Sequence, residues 1–210
     1  MTTQRRSAAA TGSHRERKKA LAQATLQREA LRLFREQGYT ATTVDQIAAA
    51  AGVSRVTFFR YFSTKADVVL HDVADLAVLD ALPETLEGIN PVRALRETVR
   101  TLIDSAAPDD KAMSAEREQL LRTVPELRAR VPAQMAASIP RLADELAKRL
   151  GHSRPDLPTT TLAGAIVGVA IAAWTTAADD LSEGFMQRHR QLLDDCLALL
   201  EAGLTTRDRE

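Results

Sequence analysis

The chain has 210 residues, of which 45% are hydrophobic and 27% charged, and this composition excludes a largely disordered chain. Aromatic residues make up only 4%, and strand-length alternation of β-branched residues is almost absent. We therefore predict an all-α protein with an aliphatic core. The single cysteine excludes an intrachain disulfide, and the N-terminus lacks the apolar segment of a signal peptide, so we expect a cytoplasmic protein.

The formal net charge is zero, but the charges are unevenly distributed. Residues 1–70 contain 12 Lys and Arg against 5 Asp and Glu, whereas the rest of the chain has an excess of acidic residues. This asymmetry indicates one basic module that faces a polyanion and one module that does not.

A longer helix, predicted from His14 to Gln37, precedes the most strongly patterned part of the chain and ends before Gly38. Its apolar face is expected to cover the short helices that follow, because these are too short to be stable alone. Residues 1–13 are predicted to form a flexible basic tail, either disordered or an arm that contacts DNA phosphates or the minor groove. The predicted DNA-binding domain spans residues 14–66.

The segment Thr43–Lys65 has the pattern of two short helices joined by a tight turn. Thr43 and Gln46 have capping-box spacing, and Gly52 can end the first helix in a left-handed conformation. Ser54 can cap the second helix. The apolar face of the first helix consists of Val44, Ile47, Ala48 and Ala51. This pattern predicts a helix-turn-helix, whose second helix enters the major groove of double-stranded DNA.

The second short helix is predicted to recognise the bases of the DNA. Val53, Phe58 and Phe62 are expected to face inward, which leaves the polar side chains outside. Arg55 can pair with a guanine edge, and Val56 can pack on a thymine methyl group. The other candidate DNA contacts on this helix are Ser54, Thr57, Arg60 and Tyr61. The alternative is that these are ordinary solvated side chains.

The stretch Gly38–Leu70 resembles the DNA-binding domain of TetR-family transcriptional regulators. The matching positions are Gly38-Tyr39, Thr43, Ile47-Ala48, Ala51-Gly52-Val53-Ser54, Thr57, Arg60, Phe62 and Lys65. The resemblance implies an all-helical homodimer, with three helices for DNA and about six more for dimerisation and an effector pocket. It also implies a repressor that a ligand releases from DNA, as for most of the family.

The resemblance assigns roles to single residues. It implies phosphate contacts for Thr43, Thr57 and Lys65, and base or groove contacts for Ser54, Arg55 and Val56. The family usually has Leu-Tyr-x-His-Phe where this chain has FFRYF at 58–62, so the tyrosine hydroxyl is missing at Phe59. Tyr61 is the predicted replacement for that phosphate contact.

Residues 67–210 are predicted to form a helical ligand-binding and dimerisation domain. The helices predicted from Lys65 onward are Lys65–Asp80, Pro91–Ala106, Pro108–Val124, Pro125–Leu150, Thr159–Ala178 and Phe185–Ala202. Pro132 and Pro140 predict kinks in the fourth of these, or its division into two pieces. Thr159–Ala178 is uncharged, but its many Ala, Gly and Thr residues favour a buried helix over a membrane span.

The last two helices carry a wider apolar surface than one surface helix needs. It indicates either a two-fold four-helix bundle with a second copy or a larger monomer core. The predicted homodimer interface consists of Val167, Ile171, Leu192, Leu193, Cys196, Leu197 and Leu200.

The candidate effector pocket consists of Leu102, Met113, Arg117, Leu121, Ile166, Ala170 and Trp174. Trp174 is either a core residue or part of the cavity wall. Arg117 or Arg122 lies either on a solvated face or toward an anionic effector. No catalytic triad, metal-ligand spacing or Gly-rich phosphate loop is recognisable, so we predict no enzyme activity, no metal and no cofactor.

These features predict a ligand-responsive dimeric repressor, released from a pseudo-palindromic operator by a small hydrophobic effector. The C-terminal half somewhat resembles actinobacterial-type members that sense acyl-CoA or related hydrophobic carboxylates. Two alternatives are an enzyme or carrier that the basic module tethers to DNA, and a DNA-binding protein that responds to no ligand.

Overall fold

A computed structural model describes residues 3–74, 77–105 and 107–203, and within these ranges the chain forms eleven α-helices and no strand. The helices are α1 (Thr3–Gln37), α2 (Val44–Ala50), α3 (Arg55–Tyr61), α4 (Lys65–Ala74), α5 (Ala77–Ala81), α6 (Pro91–Ser105), α7 (Pro108–Thr123), α8 (Pro125–Ala136), α9 (Ile139–Arg149), α10 (Leu157–Ala177) and α11 (Phe185–Glu201). The predicted all-α fold is confirmed.

The first helix differs from its prediction. It begins at Thr3 rather than at His14, so the predicted flexible tail is helical from Thr3 onward. The three alanines at 8–10 favour this extension, because alanine is the best helix former. The side chains of residues 1–17, including those of the predicted basic arm, lie outside the described part of the chain.

The predicted helix Pro125–Leu150 is divided into α8 and α9, as one of its two alternatives stated. Pro140 lies in the first turn of α9, where its missing N–H costs no hydrogen bond. Pro132 lies inside α8 without ending that helix. Pro140 therefore begins a helix, whereas Pro132 leaves α8 without one backbone donor.

Contacts divide the chain into two compact units, Met1–Val69 and Leu70–Glu210. In the first unit, Leu26 and Phe34 of α1, Ile47 of α2 and Phe58 of α3 are buried. Helices α2 and α3 have seven residues each, which is about two turns, and such short helices depend on tertiary packing.

The predicted caps of the helix-turn-helix are present. The Thr43 hydroxyl accepts a hydrogen bond from the Gln46 backbone N–H at 3.2 Å, and the Gln46 side chain accepts one from the Thr43 N–H at 2.8 Å. Gly52 has a φ of +68°, which is the left-handed conformation that ends α2. Ser54 Oγ accepts the N–H of Thr57 at 3.1 Å and so caps α3.

Lys65 ties the loop before α2 to the first turn of α4. Its ammonium donates to the carbonyl oxygens of Tyr39 at 2.7 Å, Thr40 at 3.3 Å and Thr42 at 3.0 Å. It also lies 4.4 Å from the centre of the Tyr39 ring. An ammonium has three N–H donors, so this arrangement leaves none for a phosphate. In this structure Lys65 therefore positions the loop, and its implied phosphate contact stays a prediction.

In the second unit, α10 packs against α8, α9 and α11. The buried core is aliphatic and includes Leu79, Leu82, Leu86, Leu95, Leu142, Leu146, Ala163, Ile166, Val167 and Leu197. A charged cluster then fixes α11 to α6, because Arg96 and Arg100 both donate to the carboxylate of Asp194 at 2.7–3.0 Å. The hydrogen bonds from Arg96 and Arg100 lower the pKa of Asp194 to about 2.

By length and composition alone, α10 could cross a membrane. Its large side chains Ile166, Val167 and Trp174 are buried within the unit. Apart from Leu157 and Pro158 in its first turn, the exposed positions of α10 are Thr160, Thr161, Gly168, Ala172, Thr175 and Thr176. We interpret α10 as a core helix, since a lipid-facing helix would expose large aliphatic side chains.

We expect Lys65→Met to destabilise the protein by about 1–3 kcal/mol, because three backbone carbonyls lose a donor. Binding should weaken for all DNA sequences alike, while the salt dependence of binding stays unchanged, because no phosphate contact is lost. Urea unfolding and DNA titrations at several salt concentrations measure the two effects.

The matched control is Arg60→Met, which removes an exposed cation from α3. It should reduce the salt dependence of DNA binding without lowering stability. A reduced salt dependence in Lys65→Met would instead favour a direct phosphate contact by Lys65.

Candidate DNA-binding surface and effector cavity

Helix α3 presents a mixed polar and apolar outer face. Phe58 is fully buried and anchors the helix, whereas Val56 is 80% exposed and Phe59 is 44% exposed. Exposed apolar side chains on a short capped helix suit contact with thymine methyl groups. The placement of Val56 agrees with its predicted role, which stays a prediction.

Arg55 is held in place by two neighbours. Its Nη1 donates to both carboxylate oxygens of Asp45 on α2, at 2.7 and 3.0 Å, and its guanidinium lies 5.4 Å from the centre of the Phe59 ring. Both charged side chains are 61% exposed, so the pair contributes little stability. Its effect is positional, because it fixes one side of the guanidinium and leaves the Nε and Nη2 donors for a base edge. Sequence reasoning missed Asp45, ten positions before Arg55.

The other predicted DNA contacts form local pairs. Ser54 Oγ and Thr57 Oγ1 are 2.9 Å apart, so both hydroxyls take part in the cap of α3. Arg60 lies over the ring of Tyr61 at 5.1 Å, and its Nη2 donates to the phenol oxygen at 3.4 Å. Thr43 is exposed at the cap of α2. Each of these groups keeps an exposed or half-buried position, and their DNA contacts stay predictions.

The second unit contains a cavity of about 250 Å³ between α7, α8, α10 and α11. Its lining consists of Arg117, Leu121, Val131, Met135, Trp174, Met186 and His189. Three predicted pocket residues, Arg117, Leu121 and Trp174, come together here. Within the part of the chain that the structure describes, no group of His, Cys, Asp and Glu is arranged to hold a metal ion.

Four other predicted pocket residues do not line this cavity. Leu102 lines a separate depression with Ile89 and Glu97, and Ile166 belongs to the core. Met113 and Ala170 are half-buried but are not in the lining. Their role in an effector pocket stays a prediction, because periodicity identifies the buried face of a helix without showing where two buried faces leave a gap. The alternative cation, Arg122, instead donates from its Nε to the carbonyl of Leu181 at 2.7 Å.

His189 is the least expected residue of the cavity. Its side chain is 8% exposed, and its ring contacts Trp174 edge-on with 5.4 Å between the centres. Neither imidazole nitrogen has a hydrogen-bond partner among the described residues. Burial, and then the positive charge of Arg190, lower the pKa of His189 to about 4, so the ring is neutral at pH 7. Its spacing from Leu193 and Leu197 could have marked it as a polar residue on an apolar stripe.

Two predicted dimer residues lie in the core of their own unit. Val167 is 5% exposed and Leu197 is 2% exposed, so neither is available to a second copy. Ile171, Leu193 and Leu200 are half-buried and pack on the same core. The apolar surface predicted for a partner is thus largely used by the packing of α10 on α11. Leu192 and Cys196 are half-buried, and Leu199, which extends the predicted apolar stripe, is 55% exposed.

We expect the free energy of unfolding to decrease as the pH falls from 6.5 to about 4 because of His189. In this window the unfolded chain binds a proton, whereas the buried imidazole stays neutral. This difference lowers the free energy of unfolding by about 3 kcal/mol. Asp194 acts mainly below this window, because its pKa is lowered to about 2. Urea unfolding at several pH values should show a weaker pH dependence for His189→Phe, and an unchanged curve would contradict the burial of a neutral ring.

Comparisons with known proteins agree with both halves of the chain. Residues 27–71 match the family described as bacterial regulatory proteins, tetR family, and residues 89–205 match the MftR C-terminal domain. The mycofactocin biosynthesis transcriptional regulator MftR of Mycobacterium tuberculosis is 31% identical over 149 residues, which are 69% of this chain and 74% of that protein. The regulator TcmR of Streptomyces glaucescens is 35% identical over 149 residues, which are 68% of this chain and 66% of that protein.

Among solved structures, FadR of Thermus thermophilus, a TetR-family repressor in complex with lauroyl-CoA, is 27% identical to this chain. The match covers 89% of this chain and 97% of FadR, with a TM-score of 0.51. The relatives are regulators of transcription and not enzymes. With a helix-turn-helix in the first unit and a family match over more than half of its length, the chain belongs to the TetR family of bacterial transcriptional regulators.

Proposed function

We propose that the protein is a dimeric repressor that binds a pseudo-palindromic operator and is released from it by a small, mainly apolar effector. The observation that carries the DNA-binding part is the outer face of α3, where Asp45 and Phe59 hold Arg55 beside the exposed Val56. This face offers one guanine-reading and one methyl-reading side chain at adjacent positions. The setting of the protein is then the cytoplasm, where its operator lies.

The geometry of double-stranded DNA sets the requirement for two copies. Two α3 helices reach successive major grooves when they lie roughly 34–36 Å apart. One seven-residue helix contacts too few base pairs for a specific site, so a second copy is needed to read a two-part operator.

The cavity of the second unit supports the effector part of the proposal. Its walls are apolar except for Arg117 and His189, as is typical of sites for small organic ligands. FadR of Thermus thermophilus, a solved structure to which the chain is similar, is in complex with lauroyl-CoA. A ligand releases the operator only if it binds more tightly to the conformation that does not fit DNA.

The exposed face of α10 supports the dimer. A side chain built at Gly164 or Gly168 would meet no atom within 4 Å, so packing inside this chain does not require glycine at either position. Ala172 follows at the same spacing and is exposed. Small residues four apart allow two helices to approach closely, and we propose that the second copy packs here, next to Leu199 of α11.

The decisive experiment selects bound sites from random DNA and then measures which metabolites abolish binding. We expect a pseudo-palindromic site, and Arg55→Gln should relax the preference at one base pair per half-site by about 1–3 kcal/mol. Arg60→Gln is the matched variant, because loss of the Arg60 cation should weaken binding to all DNA sequences alike. A uniform loss for Arg55→Gln would contradict its base-reading role, and binding that no metabolite alters would favour a regulator without an effector.

We expect Gly168→Leu to convert the dimer into monomers, because four added carbon atoms on the exposed face of α10 would separate the two copies. The variant should fold at least as well as the parent, since leucine favours a helix more than glycine by roughly 0.5–1 kcal/mol. Analytical ultracentrifugation measures the oligomeric state. Ala129→Leu on the exposed face of α8 is the control and should remain dimeric.

A further inference from the structure

The cavity between α7, α8, α10 and α11 contains a buried polar side chain that the fold does not use. His189 is 8% exposed, and both of its ring nitrogens lack a hydrogen-bond partner among the described residues. A buried nitrogen without a partner destabilises the folded state, whereas an apolar ring of the same size would not. The structural contact of the ring, its edge-on packing against Trp174, could be made equally well by phenylalanine. The nitrogens of His189 can therefore form hydrogen bonds with a molecule that enters the cavity.

The charges around the cavity restrict what that partner can be. None of its seven described lining residues is acidic, and Arg117 contributes a positive side chain to the wall. Arg190 adds further positive charge close to His189. Among these described lining residues a cationic ligand would lose its hydration without gaining a carboxylate, so they disfavour amines.

The neutral imidazole also restricts the hydrogen-bonding group of the ligand. It has one N–H donor and one acceptor nitrogen, and the position of the hydrogen depends on its partner. A carbonyl can pair only with the donor nitrogen, whereas a hydroxyl can pair with either, because it both donates and accepts. A hydroxyl therefore suits His189 whichever nitrogen faces the ligand.

The walls and the volume define the rest of the molecule. Leu121, Val131 and Trp174 offer apolar surface, and Met135 and Met186 can adapt to irregular shapes. The volume of about 250 Å³ lies below the roughly 300–1,000 Å³ that is typical for drug-sized ligands. A compact body of about that volume therefore fills the site.

We propose that the effector is a compact and mainly apolar compound whose hydroxyl group hydrogen-bonds to His189 in this cavity. The inference rests on the proposed function, in which this cavity holds the effector. His189 then selects the ligand by its polar group, while the apolar walls supply most of the contact area. The unpaired imidazole lowers the free energy of unfolding, and binding of the ligand raises it again.

Paired probes test this on the full-length protein by calorimetry. We expect 2-naphthol to bind at least roughly tenfold more tightly than 2-methylnaphthalene, which has a methyl group in place of the hydroxyl. His189→Phe should abolish this preference by weakening 2-naphthol alone, and its melting temperature should rise, which shows that it folds. His189→Gln should keep the preference, because its amide both donates and accepts.

Two results would overturn the proposal. One is a parent protein without preference for the hydroxyl probe; the other is a His189→Phe variant that keeps the preference or loses both probes equally. His152→Gln, on a loop outside the cavity, is the control and should bind both probes like the parent.

Release of operator DNA by a cell extract separates this proposal from the proposed function. An extract that releases the parent but not His189→Phe supports the role of His189. Equal release of both proteins overturns that role and leaves the proposed function intact. An extract that never releases the parent contradicts the proposed function, while the calorimetric comparison still decides whether His189 binds hydroxyl groups.

Discussion

The contact of Lys65 with three backbone carbonyls is the constraint on which the DNA-binding unit depends. Helices α2 and α3 are about two turns long and cannot persist alone. The buried face of α1 supplies their packing, but packing by apolar side chains is not directional. The ammonium of Lys65 adds direction, because it fixes the carbonyls of Tyr39, Thr40 and Thr42 relative to the first turn of α4. That loop therefore sets the direction in which α2 begins. The turn at Gly52 then sets the direction of α3 relative to α2.

The reading surface shows the same use of polar contacts for position rather than for stability. The ion pair between Asp45 and Arg55 is exposed and would be screened by salt. It nevertheless connects α2 to α3 at Arg55, the residue that is proposed to read a base. The guanidinium of Arg55 also packs over the ring of Phe59. A phenylalanine at this position thus has a structural explanation of its own, even though it lacks the hydroxyl that the family usually has there.

The structural features that were predicted correctly from the sequence depend on residues that lie close together in the chain. The caps at Thr43 and Ser54 and the turn at Gly52 could be read because each involves residues within a few positions. The acceptors of Lys65 could not, because they are backbone atoms more than twenty positions away. Likewise, an apolar stripe shows that Val167 and Leu197 are buried but not whether the covering helix belongs to the same chain. His189 was missed because a histidine on such a stripe is usually a satisfied core residue, and only the structure shows that its nitrogens lack partners.

The arrangement of α10 and α11 suggests how a small ligand could act on a dimer. Trp174 and His189 of this pair line the cavity, whereas Gly168 and Leu199 are exposed. Asp194 binds α11 to α6 through two arginines, and Glu201 binds it to Arg93 of α6 near the end of the helix. A close-packed pair of helices responds to an inserted molecule by shifting as rigid bodies rather than by compressing. A ligand beside His189 would then move the surface of α10 at which we propose that a second copy packs.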